Sequence, residues 1–141
     1  MGKITQGLYP GVFSGILILI LTSLPGSFFS HSGIPSLPGM DKVVHFAMFA
    51  LFGYASLWGY RKKLAGLDNK KLLKTALIMV SIGTVYGGLT ETMQHFLIDG
   101  RTGSPYDLIA DVTGTVIGTI VYIATQKNRE KKMQNSGSVK K

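Results

Sequence analysis

The chain has 141 residues, no cysteine and a formal net charge of +8. That length allows one domain at most, and the missing cysteines exclude a disulfide framework, a thiol nucleophile and a Cys-ligated metal site. The apolar residues are blocked rather than spread, which argues against a soluble globule. The basic residues flank those blocks, as in cytoplasmic membrane loops, which argues against nucleic acid as a partner.

The first apolar block runs from about Leu8 to Leu24, with Pro10 near one end and Pro25 at the other. A secretory signal would look similar, with Lys3 as a thin positive region. Three more blocks follow and no small-x-small cleavage site ends this one, so it reads as a retained span. The polar stretch Gly26 to Asp41, rich in Ser, Pro and Gly, reads as a loop.

The second block runs from Val43 to Tyr60 and is followed by Arg61, Lys62, Lys63, Lys70, Lys71 and Lys74. The third, Leu72 to Ile98, is long enough to tilt or project. The fourth runs from Tyr106 to Thr125. Each approaches the roughly 20 residues that a spanning helix needs, and lipid offers backbone groups no outside partner, so helix is required. The expected fold is an all-α membrane protein, a bundle of four transmembrane helices over residues 1–125. A basic cytoplasmic tail, 126–141, should be loosely ordered.

Basic-residue counting sets the orientation. Four spans put both termini and the 61–74 loop on one side, with thirteen of the fifteen Lys and Arg residues; Lys42 and Arg101 remain on the other. The basic side is expected to be cytoplasmic, placing both termini inside and the loops 26–41 and 99–105 outside.

The acidic residues then gather at one depth, although they played no part in the topology. Asp41, Glu91, Asp99, Asp107 and Asp111 all fall at the outer end, and only Asp68 and Glu130 lie elsewhere. Asp41 and His45 share a helix face, as do Glu91, Gln94 and His95, and Asp107 and Asp111. Two small-residue pairs, Gly83/Gly87 and Gly114/Gly118, should let spans three and four approach closely and turn the acids inward. Glu91 would cost about 2.5–3.5 kcal/mol at a helix centre in lipid, so it needs a partner; Arg101 is the foremost candidate, with Lys42 and His45 behind it.

Single residues also have plainer roles. Asp41 could cap the second span. Ser104-Pro105-Tyr106-Asp107 has the form of a helix start, with Ser as the cap. His95 suits an interfacial position, Arg101 a structural counter-ion, and Trp58 and Tyr60 an inner aromatic belt. The plainer roles would all have to coincide at one depth to dissolve the cluster.

The ordered set resembles the VanZ-like family. Asp41-Lys42-x-x-His45 is similar to that family's second-span motif, and Glu91-x-x-Gln94, Arg101, Asp107, Asp111 and Gly114-x-x-x-Gly118 to its third and fourth spans. One departure is Asp111, where many relatives carry Asn, which counts against a mechanism that needs a carboxylate there. The resemblance implies a bacterial plasma-membrane protein in a cell-envelope context. The founding member is associated with low-level resistance to the glycopeptide teicoplanin.

Two functional classes fit. In the first, Asp41, Lys42, His45, Glu91, Gln94, Arg101, Asp107 and Asp111 line an outward site for an anionic lipid headgroup or a lipid-linked cell-wall precursor. Cations there would hold phosphate. In the second, His45 and Glu91 are catalytic acid and base of an intramembrane enzyme acting on such a lipid, with Asp111 or His95 able to join them around a metal with N and O ligands. No zincin, P-loop or Gly-x-Ser-x-Gly motif occurs, and neither a cofactor nor a resident metal is called for by any motif. Membrane lipids are the expected partners.

Overall fold

The computed structural model describes residues 2–25, 39–101 and 103–138, without the side chains of 2–6 and 137–138. Most of the loop expected over Gly26 to Asp41 (26–38), the side chain of Lys3 and the end of the tail (139–141) lie outside the described residues. All regular structure among the described residues is helical: α1 (Gly2–Thr22), α2 (Met40–Gly59), the single turn α3 (Arg61–Leu64), α4 (Asn69–Leu97) and α5 (Pro105–Ser138). The four long helices coincide with the four apolar blocks. Helix α5 continues past the fourth block into the residues expected to form a loose tail.

Local chemistry sets the boundaries. Gly39, at φ +87°, supplies the left-handed turn that opens α2, so Asp41 sits inside the first turn rather than at the cap. Ser104 starts α5 as its sequence predicts, its Oγ accepting from the Tyr106 N–H at 3.2 Å. Asp68 caps α4, its Oδ1 accepting from the Lys71 N–H at 2.9 Å. That bond, with the Lys71 side chain nearby, holds the Asp68 carboxyl below its ordinary range. Glu130 is lowered too, because it accepts from the Gly66 N–H at 2.9 Å and so ties the far part of α5 to the turn before α4.

Helices α2 and α5 run parallel, and α1 and α4 run opposite to them. A Cβ at Gly114 would strike the Phe46 carbonyl, and one at Gly118 the Ala50 carbonyl, so both glycines face α2. Gly83 and Gly87 face α5, against Thr115 and Asp111. Of the two pairs, Gly83/Gly87 therefore joins α4 to α5. Gly114/Gly118 lies three residues around the helix from Asp111 and Thr115, which turns it to α2 and corrects the expectation that both pairs serve one interface. Helix α1 packs along α2 through Gly7, Gly11 and Gly15, opposite Tyr60, Ser56 and Phe52.

The polarity of the bundle is inverted relative to a water-soluble fold. Ser14, Thr22, His45, Thr90, Glu91, Gln94, Asp107, Asp111, Thr115 and Thr119 are buried, while Phe13, Ile20, Leu77, Val85, Phe96 and Ile120 are among many large apolar residues exposed. So broad an apolar surface suits lipid. Helices α4 and α5 hold apolar windows of mean hydropathy 1.5 and 1.6, and α1 a shorter apolar stretch, Gly7–Thr22. In α2 the apolar run is diluted by Asp41, Lys42 and His45, the residues that build the site described next.

Candidate functional site

The site lies at the end of the bundle where α2 and α5 begin and α4 finishes. The first two turns of α2 supply Asp41, Lys42 and His45; the last two turns of α4 supply Glu91; the first two turns of α5 supply Asp107 and Asp111. Arg101 and Ser104 come from the α4–α5 connection. Parallel running of α2 and α5 puts their N-terminal turns side by side, and their aligned peptide dipoles favour carboxylates there.

His45 is the hub. It is 1% exposed, and its Nδ1 lies 2.9 Å from Asp111 Oδ1 and 3.5 Å from Glu91 Oε1. Its Nε2 points the other way, 3.9 Å from Asp41 Oδ1. Around it, Lys42 Nζ lies 3.3 Å from Asp107 Oδ1 and Arg101 Nη2 lies 3.6 Å from Asp41 Oδ1. The side chains of Asp41 and Lys42 are 52% and 46% exposed, those of Asp107 and Asp111 5% and 0%. The cluster thus has a rim of ion pairs and a buried floor of one imidazole and two carboxylates.

Two glycines and a peptide group shape that floor. A Cβ at Gly87 would come within 2.9 Å of Asp111 Oδ2, so glycine is what lets α4 close over that carboxylate. A Cβ at Gly103 would run into the Glu91 main-chain carbonyl, so the connection lies flat across the end of α4. It thereby aims the Ser104 N–H at Glu91 Oε2, 2.8 Å away.

Of the residues singled out in the sequence, Asp41, Lys42, His45, Glu91, Arg101, Asp107 and Asp111 are brought together here. Gln94 is buried nearby, but its amide donates to the Thr22 carbonyl of α1 at 3.2 Å. His95 is exposed and stacks edge-on against Phe96, 4.7 Å between centroids. Asp99 is exposed. Arg101, expected as the partner of Glu91, is placed against Asp41, and Glu91 is met by Ser104 and His45. Sequence reasoning missed Gly103 and the main-chain role of Ser104; a lone loop glycine carries no signal of what crosses it.

Chemically, the floor is rich in acceptors. Glu91 Oε1 and Asp111 Oδ2 are buried and take no hydrogen bond from the described residues, whereas Asp107 Oδ1 meets Lys42 as an ion pair. A buried carboxylate oxygen left unpaired is costly, so these atoms are suited to a proton, a cation or a donor on a ligand.

The VanZ/LLP1 family model matches residues 8–126, a stretch that contains every residue of the cluster, and the chain belongs to that family. No curated protein and no solved structure matches it significantly.

Proposed function

We propose that this VanZ/LLP1 family member is a bacterial plasma-membrane protein with α1, α2, α4 and α5 as four spans, both termini cytoplasmic, and an outward pocket that binds the headgroup of an anionic lipid or lipid-linked cell-envelope precursor. The inverted polarity of the bundle supports the membrane setting. The packing of α1 against α2, together with the Tyr86 hydroxyl of α4 donating to the Gly15 carbonyl at 2.6 Å, supports a retained first span. The family match ends at residue 126, just past the fourth apolar block, which is in keeping with a domain that ends there.

One observation carries the binding reading. Lys42 and Arg101, the two basic residues set apart from the other thirteen, both stand on the rim of the acidic cluster, each held by a carboxylate. Cations pinned at headgroup depth are ready to exchange a carboxylate for a phosphate oxygen, and Arg offers a planar fork of donors for it. Binding or remodelling a surface lipid in this way would also account for a contribution to teicoplanin resistance. Native mass spectrometry of the detergent-extracted protein tests it. Wild type should carry a specific anionic lipid that Lys42→Ala and Arg101→Ala lose; an identical lipid profile in all three would contradict the reading.

The His45–Asp111 contact at 2.9 Å, with Glu91 beside it, favours a second reading. Here His45 and Glu91 would act as general acid and base on the same lipid. Headgroup release from defined lipids, abolished in His45→Ala, would support it; bound lipid without turnover would favour binding alone.

A further inference from the structure

We propose that His45, Glu91 and Asp111 form a site for one divalent transition-metal ion of the zinc or cobalt kind. The inference goes beyond the lipid-binding reading and does not rest on it.

Three helices each contribute one ligand. His45 Nδ1 and a carboxylate oxygen from each of Glu91 and Asp111 lie within 4.8 Å of one another, and the imidazole-to-carboxylate distances are 2.9 and 3.5 Å. Two atoms bound to one zinc at about 2.0–2.2 Å stand about 3.0–3.5 Å apart for right-angled to tetrahedral arrangements. The imidazole nitrogen therefore already stands at coordination-shell spacing from a carboxylate oxygen on each of the two other helices. Helical periodicity cannot impose this, because no two of the residues share a helix; the close approach of α4 and α2 to α5 does.

Two of the three residues also carry a buried oxygen that takes no hydrogen bond from the described residues, and that of Glu91 is turned toward His45 Nδ1, 3.5 Å away. Asp111 is fully buried and its Oδ2 takes no hydrogen bond from the described residues; Glu91 is 8% exposed and its Oε1 is in the same condition. Charge points the same way. When all are ionised, Asp41, Glu91, Asp107 and Asp111 bring four negative charges, and Lys42 and Arg101 two positive ones. Four against two leaves two negative charges, which a divalent ion cancels while His45 stays neutral, the state in which imidazole ligates metal. The other ring nitrogen faces the Asp41 carboxylate at 3.9 Å. An outer carboxylate beside the free nitrogen of a ligating histidine is the usual way its tautomer and ring orientation are fixed. Nitrogen-plus-oxygen donors suit zinc and its neighbours in the transition series, and three protein ligands leave a position open.

The test uses the full chain, purified in detergent and passed through metal-free buffer. It is titrated with Co²⁺, read by visible absorption, and with Zn²⁺ in competition with a chromophoric chelator. Wild type should bind one ion per chain. His45→Ala and the near-isosteric Asp111→Asn should each weaken binding about a hundredfold or more, and Asp41→Asn about 10–100-fold. His95→Ala, at the exposed histidine outside the cluster, should bind as wild type does. Each variant is compared at equal helicity and elution volume, so loss of metal is separated from loss of fold. No saturable binding by wild type, or binding that survives in both His45→Ala and Asp111→Asn, would overturn the proposal. So would carboxylic-acid carbonyl bands in the infrared that depend on Glu91 and Asp111 and persist at saturating Zn²⁺, because two protons would then be doing what the ion is proposed to do.

Discussion

Replacing Gly118 by alanine should destabilise the bundle, although the same change in an open helix position would stabilise it. Alanine in a helix interior is favoured over glycine by about 0.8–1 kcal/mol. At Gly118 the new Cβ would overlap the Ala50 carbonyl oxygen and lie 2.8 Å from its carbon and 3.0 Å from the Ala50 Cα. Those are backbone atoms and cannot rotate away, so α2 and α5 must separate. Overpacking of this kind costs about 1–3 kcal/mol, enough to reverse the helix-propensity gain and leave a net loss of up to about 2 kcal/mol. Gly88, one position beyond Gly87, supplies the control: a Cβ there meets nothing within 4 Å, so Gly88→Ala should gain stability. The assay is thermal unfolding in one detergent, followed by circular dichroism and by the fraction remaining monodisperse. Equal midpoints for Gly118→Ala and Gly88→Ala would refute the assigned α2–α5 contact, and with it the side-by-side N-terminal turns that bring His45 to Asp111.

Glu91→Gln and Arg101→Ala should each abolish the protein's cellular phenotype while membrane insertion, checked by fractionation, is kept; normal phenotype in both would remove the functional role of the cluster. Gln94→Ala should lower thermal stability by about 0.5–1.5 kcal/mol through loss of the α4–α1 hydrogen bond, and should leave lipid copurification unchanged. The Asp68 carboxyl is held below its ordinary value of 3.8, so its stabilising contribution is present above that pH and is lost as pH falls through the lowered folded value. The stability difference between wild type and Asp68→Ala should therefore be constant near neutrality and disappear only in strong acid, as a pH series of melting curves would reveal.

The four long helices were legible because hydrophobic blocks near bilayer length leave little alternative to helix, and the acidic cluster because four of the five acids expected together, Asp41, Glu91, Asp107 and Asp111, do meet, while Asp99 stays exposed. Pairings were less legible. Arg101 was expected on Glu91 from proximity along the chain, but the α4–α5 connection lies flat across Gly103 and carries the guanidinium to Asp41 on α2. The Ser104 N–H then takes the place at Glu91 Oε2. The glycine pairs were recognised as contact stripes without their partners, because a small residue marks where a backbone approaches and not whose backbone it is. Gln94 shares a helix face with Glu91, yet one further turn-fraction around α4 brings its amide to α1. His95 lies on the same stripe in sequence but reaches the exposed side, where its ring packs on Phe96.

The cysteine-free sequence permits the most direct test of an outward pocket. Single cysteines are introduced by Asp99→Cys, in the exposed turn beside Arg101, and by Lys70→Cys, at the opposite end of α4, and intact cells are treated with a membrane-impermeant maleimide. Labelling at position 99 in intact cells, with position 70 labelled only after lysis, is the predicted result. Labelling at position 70 and protection at position 99 would put Lys42, His45 and Arg101 on the cytoplasmic face and contradict the account.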